Sequence, residues 1–164
     1  MPDHLSVSQI NLYSLCSLKY RFQYIDGLPK PFRPAALAFG SSVHAALSWY
    51  HDQVAKGNGT DEGVTLEKVC KIFDADWYAQ TLDTKILFDR GQTAAGLAAL
   101  ARELLGRYLV RPQTQIKASE VHFTVPLIDP VSGEQLEVNL EGYFDLLTTD
   151  DGIVEFWVFS RIRG

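Results

Sequence analysis

The hydrophobic pattern of this chain changes its period near Ser119. Upstream, apolar side chains recur at intervals of three and four, as in residues 35–55, where Phe39, Val43 and Leu47 form one helical stripe. Downstream, apolar and polar residues alternate, as they do along a half-buried strand. Helices followed by a three-stranded meander indicate an α/β protein in α+β order. The sequence therefore predicts helices packed against a sheet.

Three further stretches upstream show helical spacing. Residues 5–24 predict two short helices or one bent helix, with Ser6 or Ser8 as the capping residue. Residues 65–81 and 90–110 predict two longer helices. These helices are expected to serve as packing elements.

Two strands and a hairpin follow from the alternating region. Residues 119–127 and 136–140 predict two strands joined by a turn over residues 129–133. The second strand continues into a hairpin over residues 142–157, with a bulge expected near residues 141–142.

The hairpin carries two acids in an otherwise apolar context. Its strands, residues 143–148 and 153–159, are joined by an Asp-Asp-Gly turn and contain Asp145 and Glu155. An unpaired buried charge is costly, and a divalent cation held by oxygen ligands is the simplest compensation. An ordinary pair of acids on an exposed edge strand is the alternative.

Composition limits the class of protein. A hydrophobic content of 46% and a charged content of 21% describe a folded globular chain, for which we expect one domain over residues 1–164. No apolar run is long enough to span a bilayer and the first residues do not resemble a signal peptide, so we expect a cytoplasmic protein. The net charge of -5 argues against a general DNA-coating role. Cys16 and Cys70 lack the spacing of a zinc or iron–sulfur motif and are expected to be reduced, half-buried thiols.

His44 is a third candidate ligand. It lies on the helix predicted over residues 35–55, and together with Asp145 and Glu155 it provides one imidazole and two carboxylates. This donor set suits Mg²⁺ or Mn²⁺. A histidine beside an apolar stripe is more often structural than a ligand, and that alternative stays open for both His44 and His51.

Four segments carry a resemblance to a known family. In chain order they are LSVSQINLYSLCSLKYRFQYIDGL, ALAFGSSVHAALSWYH, LEGYFDLL and GIVEF, and they resemble the RecB-type nucleases of the PD-(D/E)XK superfamily. The resemblance covers nearly the whole chain, and FGSSVHAAL together with GYFDLL is its most specific part. It implies a restriction-endonuclease-like core in which N-terminal helices pack on a central mixed β-sheet. It also implies metal-dependent, exonuclease-like hydrolysis of DNA in repair or recombination.

The resemblance also implies roles for individual residues. His44, Asp145 and Glu155 would hold one or two Mg²⁺ or Mn²⁺ ions, together with the backbone carbonyl of Phe156. Lys19 and Tyr20 would face the DNA, although a solvated helix edge is the alternative for the basic residues there. Three neighbouring acids are expected to be solvated or to lie beside the ligands: Glu120, Glu137 and Glu141.

The sequence departs from the family pattern at Trp157. The family places a lysine two residues after the final acid, and tryptophan lacks the cationic group that this position supplies. Loss of a positioned catalytic group costs a factor on the order of 10² to 10⁴ in rate. The chain also ends soon afterwards, in WVFSRIRG, so we expect that a C-terminal part of the nuclease domain is missing.

Two other functions fit the same sequence. One is a catalytically silent nucleic-acid-binding or assembly module on the same fold, and the other is a small-molecule enzyme with a chance pair of carboxylates. The expected partners are DNA and a helicase or recombination protein. A truncated sheet would also expose an edge strand, which predicts a homodimer.

Overall fold

The computed structural model describes residues 4–57, 63–110, 115–150 and 152–154. In these ranges the α-helices are α1 (Val7–Leu15), α2 (Ser17–Tyr20), α3 (Ala35–Ala55), α4 (Leu66–Asp83) and α5 (Ala94–Leu109). A π-helical turn, Arg21–Ile25, follows α2 directly. The strands are β1 (His4–Leu5), β2 (Arg33–Pro34), β3 (Ile86–Leu87), β4 (Ile116–Ile128), β5 (Gln135–Thr148) and β6 (Ile153–Val154). None of the helices in the described ranges is both long enough and apolar enough to cross a membrane.

Hydroxyl side chains fix the starts of three helices. The Ser6 hydroxyl accepts a hydrogen bond from the Gln9 amide at 3.2 Å, and the Gln9 side chain accepts one from the Ser6 amide at 2.9 Å. This reciprocal pair confirms Ser6 as the cap of α1. The Thr65 hydroxyl caps α4, and α5 begins four residues later than predicted because the Thr93 hydroxyl caps it.

The main sheet has the order β1-β5-β4, and β6 also pairs with β5. It is a mixed sheet because β1 runs parallel to β5 while β6 runs antiparallel to it. A separate parallel pair joins β2 to β3. The predicted class is therefore confirmed as a mixed α/β fold with helices and a mixed sheet.

The predicted bulge near residues 141–142 does not interrupt β5, which is continuous. A glycine is needed at position 142 for another reason. A Cβ atom placed there would lie 2.7 Å from the ring of Phe123, closer than any tolerated carbon contact. The ring of Phe123 stacks on that of Phe144 with centroids 4.5 Å apart, so Gly142 makes room for an aromatic pair.

The described chain divides into two compact units. One comprises Met1–Lys30 and Val121–Phe144, and the other comprises Pro31–Glu120 and Asp145–Gly164. In the second unit α3 packs against α4 and α5. Its buried core contains the predicted α3 stripe and the apolar faces of both neighbours: Phe39, Val43, Leu47, Val69, Phe73, Trp77, Leu97, Ala101 and Leu105. A single domain over all 164 residues stays a prediction.

Candidate metal centre

Three side chains from three elements of the second unit converge. His44 comes from α3, Glu120 from β4 and Asp145 from β5, and each offers one ligand atom within 4.8 Å of the other two. The Nδ1 atom of His44 lies 3.4 Å from Oδ1 of Asp145. Two atoms bound to one ion at about 2.0 to 2.2 Å lie at most about 4.4 Å apart, so small side-chain adjustments would bring all three to one ion. One nitrogen and two carboxylate donors also suit Mg²⁺ or Mn²⁺, and the residues present fit such an ion.

The two histidines of α3 have different surroundings. The His44 side chain is 29% exposed and faces Asp145, whose side chain is 14% exposed. His51 is fully buried, and its Nε2 lies 2.8 Å from the hydroxyl of Tyr108. Burial lowers the pKa of His51 to about 4, although the charges of Asp52 and Asp145 partly oppose this. His51 is therefore the structural histidine of the helix, and His44 is the one that lies beside the candidate ligands Glu120 and Asp145.

A buried polar network joins α3 to α4. The amide nitrogen of Gln80 donates to a carboxylate oxygen of Asp76 at 2.6 Å and to the Ser42 hydroxyl at 3.0 Å. The Ser42 hydroxyl in turn lies 2.6 Å from the same Asp76 oxygen. Rotating α3 about its axis would leave these groups buried without partners, which is costly. The network therefore fixes the direction in which α3 presents His44.

Glu120 owes its place in the cluster to an unusual backbone conformation. Its φ angle is 49°, the left-handed region that residues with a Cβ rarely adopt. On a regular strand, successive side chains point to opposite faces. Here the side chains of Ser119 and Glu120 both reach α3, since Ser119 bonds to Asp52 and Glu120 lies near His44. The left-handed residue breaks the alternation and directs the second carboxylate toward the imidazole.

The structure brings together two of the residues singled out in the sequence, His44 and Asp145. Glu155, Phe156 and Trp157 lie outside the described residues. The sequence leaves Glu120 among the solvated or neighbouring acids, but the structure brings its carboxylate within ligand distance. The sequence shows the acid at the start of the alternating region, but it does not predict the left-handed backbone conformation that directs the side chain toward His44.

The remaining candidates belong to the first unit. Lys19 is exposed, and the ring of Tyr20 lies between those of Tyr13 and Tyr24, with centroids 5.4 and 5.2 Å apart. Their contact with DNA stays a prediction. Glu137 is exposed, as expected for a solvated acid.

Glu141 has histidine neighbours in the first unit. One of its carboxylate oxygens lies 3.8 Å from His4 and 3.6 Å from His122. The free cysteines differ from the sequence expectation, since Cys16 is exposed and Cys70 is buried. Neither cysteine belongs to the cluster formed by His44, Glu120 and Asp145.

Fold and site together define an α/β protein with a candidate divalent-metal centre built from one histidine and two acids. The sequence model of the PD-(D/E)XK nuclease superfamily matches residues 4–158, and the chain belongs to this superfamily. Its nucleases use divalent metal ions and act on DNA. No curated protein and no solved structure matches the chain.

Proposed function

We propose that this protein is a RecB-type nuclease that hydrolyses DNA phosphodiester bonds with Mg²⁺ or Mn²⁺, as an exonuclease of DNA repair or recombination. The observation that carries the proposal is the approach of His44 Nδ1 to Asp145 Oδ1 at 3.4 Å, with Glu120 in the same cluster. Membership of a nuclease superfamily supports it. A helicase or recombination partner, a homodimer and a cytoplasmic location belong to the same proposal and rest on the sequence.

The chemistry assigned to each residue follows from its donor atoms. When bound, a divalent ion polarises phosphoryl oxygens and lowers the pKa of a coordinated water. Asp145 and Glu120 would supply hard oxygen ligands and negative charge. His44 would accept the ion at Nδ1, so its proton would reside on Nε2. Glu155 and the Phe156 carbonyl would complete the set.

A catalytically silent DNA-binding or assembly module is the second candidate function. The observation that favours it is Trp157, which stands where the family has a lysine. Without that ammonium group, the rate falls by a factor on the order of 10² to 10⁴ unless another cation replaces it. Metal binding without measurable turnover would then be the expected behaviour.

Cleavage of a fluorescently labelled single-stranded DNA in the presence of Mn²⁺ tests the proposal. We expect cleavage by the full chain, and its loss in Asp145→Ala because one of the metal's ligands is removed. Asp89→Ala is the matched control, since Asp89 is an exposed aspartate of the same unit outside the cluster. Its activity should equal that of the unmodified chain.

Three outcomes separate the candidate functions. Cleavage that survives Asp145→Ala would contradict the proposed site. DNA binding without cleavage would favour the silent module. A chain that neither binds nor cleaves DNA would contradict both, and a homodimer is checked separately by the solution mass over a range of concentrations.

A further inference from the structure

We infer that Ser119 and Asp52 are positioning residues that hold the Glu120 carboxylate in the metal centre. The inference rests on the proposed function, since it assigns a role relative to that site. Neither residue is a ligand candidate in the cluster of His44, Glu120 and Asp145. They act through Glu120, which follows Ser119 in the chain.

The contacts of Ser119 tie the strand to the helix. Its hydroxyl donates to Oδ1 of Asp52 at 2.7 Å, a short bond to an anionic acceptor. The hydroxyl oxygen of Ser119 also lies 3.3 Å from the Ser48 carbonyl oxygen and 3.4 Å from the Ser48 hydroxyl oxygen. A hydroxyl has one proton to donate, so the shorter bond, from Ser119 to Asp52, is the main tether. The Ser119 oxygen can at the same time accept a hydrogen bond from the Ser48 hydroxyl.

The helix residues of this tether share a face with His44. His44, Ser48 and Asp52 are spaced by four along α3, so they lie one above another on the same side of the helix. The bond from Ser119 to Asp52 therefore attaches β4 to the face that presents the imidazole. It fixes the residue immediately before Glu120 relative to His44.

Glu120 needs such a tether because its conformation is not the one a strand prefers. At a φ of 49° a residue with a Cβ is strained by about 1 to 2 kcal/mol relative to extended backbone. Relaxation to a regular strand would send Glu120 to the face opposite Ser119. The hydrogen bond from Ser119 to Asp52 opposes that relaxation, because it holds the residue before Glu120 on α3.

Mn²⁺ binding to the full chain, measured by isothermal titration calorimetry, tests the inference without reference to turnover. Ser119→Ala should weaken the affinity about 10-fold, the lower end of the usual effect of losing a group that orients a metal ligand. Ser119→Thr keeps the hydroxyl and should bind within about twofold of the unmodified chain. Ser41→Ala is the control, because Ser41 is an exposed serine of α3, the helix that carries Asp52, and this variant should bind normally.

A double-mutant cycle shows whether the tether acts through Glu120. If it does, Ser119→Ala should have no further effect in a Glu120→Ala background, and Asp52→Ala should behave like Ser119→Ala. An unchanged affinity in Ser119→Ala, with or without a loss of thermal stability, would overturn the inference, as would an equal loss in both backgrounds. A chain that binds no Mn²⁺ at all would instead contradict the proposed function, and the inference with it.

Discussion

Glu120 combines a strained backbone with a charged side chain near the candidate site. Its φ of 49° costs about 1 to 2 kcal/mol for any residue with a Cβ, and glycine avoids this cost. At an ordinary strand position the opposite holds, because a variant with glycine is less stable than one with alanine by about 0.5 to 1 kcal/mol. The sign of the difference between the two substitutions therefore reports the strain.

We expect Glu120→Gly to be more stable than Glu120→Ala by about 1 kcal/mol. Both variants should lose affinity for Mn²⁺, because both remove the carboxylate. Urea denaturation of the metal-free proteins measures the stability, and calorimetry measures the affinity. An alanine variant at least as stable as the glycine variant would show that position 120 is not strained.

At the scale of elements, Gly142 and Phe123 illustrate how β4 and β5 fit together. A Cβ at position 142 would contact the Phe123 ring at 2.7 Å. We expect Gly142→Ala to lower the free energy of unfolding by about 1 to 3 kcal/mol, because the ring must move from its stack on Phe144. Thermal or urea denaturation measures the change.

The smaller side chain of a Phe123→Leu variant provides the control for this contact. In that background the added methyl group has more room, so Gly142→Ala should cost clearly less than it does alone. Additive costs in the double variant would mean that the ring is not what excludes a side chain from position 142.

Several elements follow from local signals in the sequence. The apolar stripe of Phe39, Val43 and Leu47 predicts a helix over residues 35–55, and α3 has the same bounds. The Ser6 cap and the long strands are equally local, because capping and alternation depend on neighbouring residues. The hairpin is confirmed where the structure describes it, by the pairing of Leu146 with Val154, and the rest of its predicted second strand, residues 155–159, lies outside the described residues.

Pairings between distant segments do not follow from such signals. β1 has two residues, and its parallel pairing of His4 with Asn139 joins opposite ends of the chain. No local pattern specifies that register. The same limit applies to the short parallel pair of Arg33 with Ile86.

The candidate site was partly predictable for a related reason. His44 and Asp145 stand out because a histidine and an acid occur in otherwise apolar elements, and the structure brings them within 3.4 Å. Glu120 does not stand out, because alternation assigns Ser119 and Glu120 to opposite faces. The left-handed backbone at Glu120 places both side chains toward α3, and a glutamate in the sequence does not signal a left-handed conformation.

At the scale of the whole molecule, His51 makes stability depend on pH. Burial lowers the pKa of His51 from 6.5 to about 4 in the folded chain. Between pH 4 and pH 6.5, His51 binds more protons in the unfolded chain than in the folded chain. The contribution of His51 to the free energy of unfolding therefore falls as the pH is lowered through this window and is constant above it. From pH 7 to pH 5 this residue alone should cost about 2 kcal/mol.

Urea denaturation of the metal-free protein at pH 7 and pH 5 measures this loss. We expect His51→Gln to show a smaller difference between the two pH values, because glutamine does not titrate and can still bond to Tyr108. The unmodified chain is the reference for this difference. A loss in His51→Gln equal to that of the unmodified chain would contradict the assignment to His51.

The left-handed glutamate of β4 has a consequence for laboratory evolution. A library selected only for survival at high temperature rewards relief of local backbone strain, and glycine or asparagine at position 120 would provide it. The selected variants would lack the carboxylate of Glu120. Engineering a hardier form of this protein therefore requires that every round of selection also score metal uptake.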